Sequence, residues 1–198
     1  DMQWMVIQRI PGGCVMFDIS GSTATPEHRA ILSTFSLSAI EISGDNDYLI
    51  LLAETSTETC SVYLYNIQDG VCQAPVASYD DNFLIKMKAA DTQPIFAVFN
   101  GTNILDIYNY SGNHLHEFHL ITDNSAYFDY AFFDDSQYLI TTDVSNITMW
   151  NIEQEQVVMS YTKTEEMSGN LQTLPDSDYF LMNGGGYLEN PLSDTGII

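Results

Sequence analysis

The chain has 198 residues, 45% of them apolar and 12% aromatic, which is enough to bury a substantial core and too apolar for a disordered chain. Its 27 acids stand against only Arg9, Arg29, Lys86, Lys88 and Lys163, giving a net charge of -22. That charge repels nucleic acid and anionic membranes, and it either attracts a basic partner or serves to keep a β-rich surface in solution.

Cys14, Cys60 and Cys72 form no CxxC pair, as expected of reduced thiols in a cytoplasmic protein rather than of a disulfide framework. The longest apolar run, YLILLA at 48–53, is too short to span a bilayer. The chain opens on Asp1 and reads as a piece of a longer polypeptide, continuous with further blades or domains.

Taken in order, the chain is a succession of short apolar runs punctuated by Asp, Asn, Gly and Ser, with almost no helical periodicity. Four polar turns, GDND at 44–47, DTQP at 91–94, DDSQ at 134–137 and PDSD at 175–178, each precede a run that reads as a buried strand. The starts of these turns are 47, 43 and 41 residues apart. The longer first step is assigned to a longer loop, ETSTET at 54–59. Each of the first three runs leads to a second strand ending on an aromatic residue and asparagine, at Asn66, Asn109 and Asn151. CVMFDIS puts Asp18 at the same point in an earlier copy. Another turn and a short strand follow each time. The unit is therefore four antiparallel strands in about 42 residues, the blade of a β-propeller.

The predicted fold is all-β, with about four to five blades belonging to a larger propeller. The expected blades are 1–38 (partial), 39–80, 83–121, 127–162 and 168–198 (partial). The tail, GGGYLENPLSDTGII, reads as too glycine-rich and irregular to finish a blade. The stretch TTDVSNITMWNI at 141–152 is the best copy. Its Thr142-Asp143, alternating strand and Trp150-Asn151 resemble the WD-repeat family, although no Gly-His pair precedes any unit. That resemblance implies a non-catalytic interaction scaffold with no cofactor. Of the family's internal hydrogen-bond network, Asp143 and Trp150 are the members this chain retains. Trp150 is expected to pack between blades.

Three sets of side chains carry possible chemistry. On the innermost strands, Glu41, Lys86, Lys88 and Asp129 fall on the polar face that lines the central channel. Equal-level alignment pairs Lys88 with Glu41 and Lys86 with Asp129. HLHEFH at 114–119 places His114 and His116 on one strand face and His119 on the other, and a metal shared by the first two is the less favoured reading. Rim loops collect Glu54, Glu58, Asp80, Asp81, Asp123, Asp143, Glu165 and Glu166, a surface for a basic protein or peptide. The opposite face is acidic too. No nucleophile motif, phosphate loop or metal site is evident, so no catalytic residue is assigned. The alternatives are a propeller enzyme or small-ligand binder using the channel, and a purely structural half-propeller within a larger protein.

Overall fold

The computed structural model describes residues 4–8, 14–18, 25–27, 36–55, 59–80, 85–120, 128–133, 136–163, 171–173, 179–182 and 186–189. Nineteen strands and no helix lie among them, in five antiparallel sheets. The first sheet holds β1 (Trp4–Gln8), β2 (Cys14–Asp18) and β3 (Thr25–Glu27). The second holds β4 (Ser36–Ile42), β5 (Tyr48–Glu54), β6 (Thr59–Asn66), β7 (Val71–Cys72) and β8 (Ala77–Asp80). The third runs β9 (Lys86–Ala89), β10 (Ile95–Phe99), β11 (Ile104–Asn109) and β12 (His114–His119). The fourth runs β13 (Asp129–Phe133), β14 (Tyr138–Thr142), β15 (Asn146–Asn151) and β16 (Gln156–Thr162). The fifth holds β17 (Leu171–Thr173), β18 (Tyr179–Met182) and β19 (Gly186–Glu189). Each sheet is a meander of neighbours in sequence, so each is one propeller blade.

The repeat has a physical basis in its turns. Tyr48 aligns with Asn66, Ile95 with Asn109 and Tyr138 with Asn151, so three blades share one register. The Oδ1 atom of each asparagine then accepts backbone N–H groups from the following turn. Asp69 donates to Asn66 at 2.8 Å, Ser111 and Asn113 donate to Asn109 at 3.0 and 2.9 Å, and Gln154 donates to Asn151 at 2.8 Å. Asparagine and aspartate suit the position because their short carbonyl arms reach the backbone a few residues ahead. Further into each of these turns one residue adopts a left-handed conformation, at Gly70 (φ 67°), Gly112 (φ 79°) and Glu155 (φ 51°).

The core lies between blades rather than within one. Side chains alternate along each central strand, and both faces are covered. Ile50, Leu52, Val62 and Leu64 meet Phe96, Val98, Tyr108 and Tyr110 between the second and third blades. Ala97, Phe99, Leu105 and Ile107 meet Phe128, Tyr130, Phe132 and Leu139 between the third and fourth. Met16 packs against Leu49, Leu51, Tyr63 and Tyr65, and Leu171 joins the cluster of Phe133, Ile140, Ile147 and Met149. Burial of each such large side chain contributes about 1.5–3 kcal/mol. Trp150 meets Phe118 of the preceding blade edge to face, with ring centroids 5.6 Å apart. Gly44 lies against the backbone of Ala90 and Asp91 in the next blade, where a Cβ would collide with the Asp91 carbonyl oxygen.

Two sequence expectations change. The second blade begins at Ser36, inside the span given to the first partial unit. Its extra length lies in a longer hairpin, seven residues in β5 and eight in β6 against five and six in β10 and β11, rather than in the loop at 54–59. It also breaks the outer strand: β7 and β8 both pair with β6, and between the Gln73–Leu64 and Val76–Val62 backbone hydrogen bonds the ladder is interrupted at Ala74 and Pro75, the latter having no N–H to donate. The glycine-rich tail adds β19, with Tyr187 opposite Leu181, as the third strand of its sheet, and a fourth is not among the described residues.

Glu155 occupies a left-handed position where two sister blades have glycine, a conformation that costs an L-residue roughly 1–2 kcal/mol. Glu155 also meets His116 of the preceding blade, so the comparison is with Glu155→Ala, which lacks the same contact: Glu155→Gly is expected to have a thermal midpoint about 2–4 °C above that of Glu155→Ala. An unchanged or lower midpoint in calorimetry would show that the turn carries no such strain.

Candidate functional site

The inner strands β4, β9, β13 and β17 stand side by side, β4 against β9 and β13 against β17, with β9 joined to β13 by hydrogen bonds. Lys88 Nζ lies 3.1 Å from Asp129 Oδ1 and donates to the Leu171 carbonyl at 3.1 Å. The other Asp129 oxygen accepts the Leu171 N–H at 2.6 Å. One buried carboxylate thus joins three consecutive blades. Lys88 also lies 5.6 Å from the centroid of the Tyr130 ring, and the Tyr130 hydroxyl reaches the carbonyls of Lys86 and Ala97. Lys86 itself donates to the Phe128 carbonyl.

This arrangement corrects the predicted pairing. Lys88 takes Asp129, and Lys86 takes a backbone carbonyl, because adjacent inner strands are offset by one pleat, two residues. Lys88 and Glu41 instead line a common cavity of about 300 Å³ with Asp91, Ala131 and Leu171. Burial raises the Glu41 carboxyl above its ordinary value of 4.5; a hydrogen bond with the Ala89 backbone and the charge of Lys88 oppose this only in part.

On the rim, Glu54 and Asp80 are exposed. Asp143 is not available in that way. It is buried, and its Oδ1 accepts the N–H groups of Ser145 and Asn146 at 2.7 Å each, so it caps the turn. Lys163 donates to its backbone carbonyl. Asn100 caps the equivalent turn of the third blade, accepting from Thr102 and Ile104 at 3.0 Å. Glu58, Asp81, Asp123, Glu165 and Glu166 lie outside the described residues, as does the side chain of Asp18. Trp150 Nε1 donates to Thr141 Oγ1 at 3.0 Å, so the tryptophan's hydroxyl partner is Thr141 rather than its neighbour Thr142, and Asp143 takes no part.

The histidine strand differs most from expectation. A bulge at Ile107/Tyr108 pairs Tyr108 with His114 and Asp106 with Glu117. The extra residue reverses the facing of His114, which now shares a side with Glu117 and leaves His116 on the other. His114 Nε2 is 2.9 Å from Asp106 Oδ1, whereas His116 Nδ1 is 2.9 Å from Glu155 Oε1 of the next blade. His119 Nε2 is 2.7 Å from Glu117 Oε1. Tyr79, from β8 of the second blade, donates to Asp106 Oδ2 at 2.9 Å and lies 3.1 Å from the Tyr108 hydroxyl. Burial, first of all, raises the pKa values of both phenols, so they remain neutral donors. The sequence reading missed Asp106, Tyr79 and Tyr108. The signal was available for Asp106, a carboxylate inside the otherwise apolar strand LDIYN.

No protein-family profile matches the chain, and no curated protein matches it in sequence. Solved structures of propeller-like all-β proteins do resemble it. Hydrazine synthase of Kuenenia stuttgartiensis has a TM-score of 0.58 at 15% identity, over 84% of this chain and 48% of that one. Apo AztD of Citrobacter koseri has a TM-score of 0.63 at 12% identity, over 84% and 45%. The chain spans about half the length of these proteins. At such identities the likeness establishes the fold alone, a β-propeller domain.

The raised Glu41 pKa means that the folded state holds this proton more tightly than the unfolded chain does. Ionisation therefore destabilises the fold progressively as pH rises above 4.5, and the effect is absent well below that value. Glu41→Gln is expected to be more stable than wild type at roughly pH 7 and to lose that advantage in acid, as read by urea unfolding. An advantage independent of pH would contradict this account of the cavity.

Proposed function

We propose that the domain is a non-catalytic interaction module, a WD-repeat-like propeller of the cytoplasm that displays acidic turns to a Lys/Arg-rich protein or peptide. The observation that carries this reading is the use made of the cations. Lys86, Lys88 and Lys163 are all engaged with internal carbonyls or with Asp129. Asp45, Asp69, Asp91 and Glu153 remain exposed in turns on one rim. Those turns hold their shape through the asparagine caps and the Ser43–Asp45 hydrogen bond, so a partner would meet a preorganised surface. This rim is favoured over the one bearing Glu54 and Asp80, where Asp143 is consumed as a cap and Lys163 adds a positive charge. The WD-repeat kinship rests on the Trp150–Thr141 hydrogen bond and the asparagine register.

A channel enzyme or ligand binder is the less favoured reading, because Lys88, the cation of the inner cavity, is already bonded to Asp129 and Leu171. A purely structural propeller half would need no acidic display.

The test uses a lysine-rich peptide as probe at low and high salt. Neutralising Asp69, Asp91 and Glu153 together, as Asn, Asn and Gln, is expected to weaken capture at least about tenfold at low salt and to flatten its salt dependence. Neutralising Glu54 and Asp80 should change it much less. Capture unaffected by the first triple variant would overturn the proposal.

A further inference from the structure

Two carboxylates buried in this fold have a lysine beside them. Asp129 pairs with Lys88, and Lys163 reaches the Asp143 carbonyl, its own pKa lowered by burial and supported by the Asp143 charge. Asp106 is the third case, buried to 7% exposure on a central strand. No lysine or arginine approaches it among the described residues, and the three described lysines are committed elsewhere. Its basic neighbour among the described residues is His114. A buried carboxylate without a full counter-charge is costly, and the strongly negative chain deepens that cost.

The bulge in β12 supplies a way to meet it. Because Tyr108 pairs with His114 across the extra residue, the Nε2 atom of His114 and a carboxylate oxygen of Glu117 converge on Asp106. One ligand atom from each of Asp106, His114 and Glu117 lies within 4.8 Å of the others. One imidazole and two carboxylates are the kinds of group that hold a divalent transition metal with a position left for water. The outer partners are also in place. Tyr79 fixes the second Asp106 oxygen, His119 lies on Glu117, and the His114 ring rests against Tyr108 with centroids 5.1 Å apart.

The fourth blade is an internal control. It carries a bulge at the equivalent point, Met149/Trp150, but places Thr148, Ser160, Val157 and Trp150 around it. The bulge is shared by the two blades, whereas among the described residues the ligand set occurs in the third blade alone.

We propose that Asp106, His114 and Glu117 form a binding site for a divalent transition-metal cation on the outer two strands of the third blade, beside Tyr79 of the second, of which zinc is the representative. This goes beyond the interaction role and does not depend on it.

Titration of the reduced protein with zinc by calorimetry should show one saturable site. Asp106→Asn and His114→Ala are expected to weaken it at least about 100-fold, and Tyr79→Phe about tenfold, as loss of an orienting partner does. His116→Ala and Cys72→Ala should leave it unchanged. Cobalt should give a ligand-field absorption band that His114→Ala abolishes. His114 is half exposed, so that variant keeps the test open even if Asp106→Asn fails to fold. Absence of a saturable site, or zinc uptake indifferent to His114→Ala and Tyr79→Phe, would overturn the proposal and leave His114 as a simple ion-pair partner of Asp106.

Discussion

A four-stranded sheet whose central strands are apolar on both faces has no stable existence alone. In this chain Ile50 and Leu52 point one way while Leu49, Leu51 and Ala53 point the other, and Phe96/Val98 alternate with Ala97/Phe99 in the same manner. Each blade must therefore be covered twice, and the blades cover each other. Other features follow from that demand. Gly44 admits the close approach of the next blade's turn. The outer strands β12 and β16, at the edges of their sheets, are largely exposed. The polar groups that do enter the interior, Asp129 and Lys88 among them, lie where three inner strands converge and can satisfy one another.

Rigidity at the turns is what lets such packing support a surface. The side-chain carbonyls of Asn66, Asn109 and Asn151 bond the turns that follow them, and Asn100 and Asp143 do the same at the opposite rim. An acidic group in a fixed turn keeps its charge exposed without a large loss of side-chain freedom on binding. The proposed scaffold role and the proposed metal site draw on different parts of this frame: the first on the turn rim, the second on the outer strands where Tyr79 of one blade meets Asp106 of the next.

The repeat was legible in the sequence because it is written in residues with a local mechanism. An asparagine that caps a turn must recur at a fixed distance, so the step between Asn109 and Asn151 found the blade without any knowledge of packing. Features set by non-local geometry were not legible. The offset between neighbouring inner strands moved Lys88 from Glu41 to Asp129, and no spacing within one strand contains that offset. The bulge in β12 inverted the facing of His114, since one inserted residue exchanges the two faces of a strand. Asp143 looked like an exposed loop acid and is a buried cap, because its neighbours' N–H groups needed an acceptor.

The central claim is that the blades are stable only through one another. Native-state hydrogen exchange tests it most directly, by comparing amides in the central strands β5–β6, β10–β11 and β14–β15. The account predicts that these amides share one opening free energy, equal to that of global unfolding, while β12 and β16 exchange faster. Separate opening energies for each blade, with one blade exchanging freely while its neighbours stay protected, would contradict it.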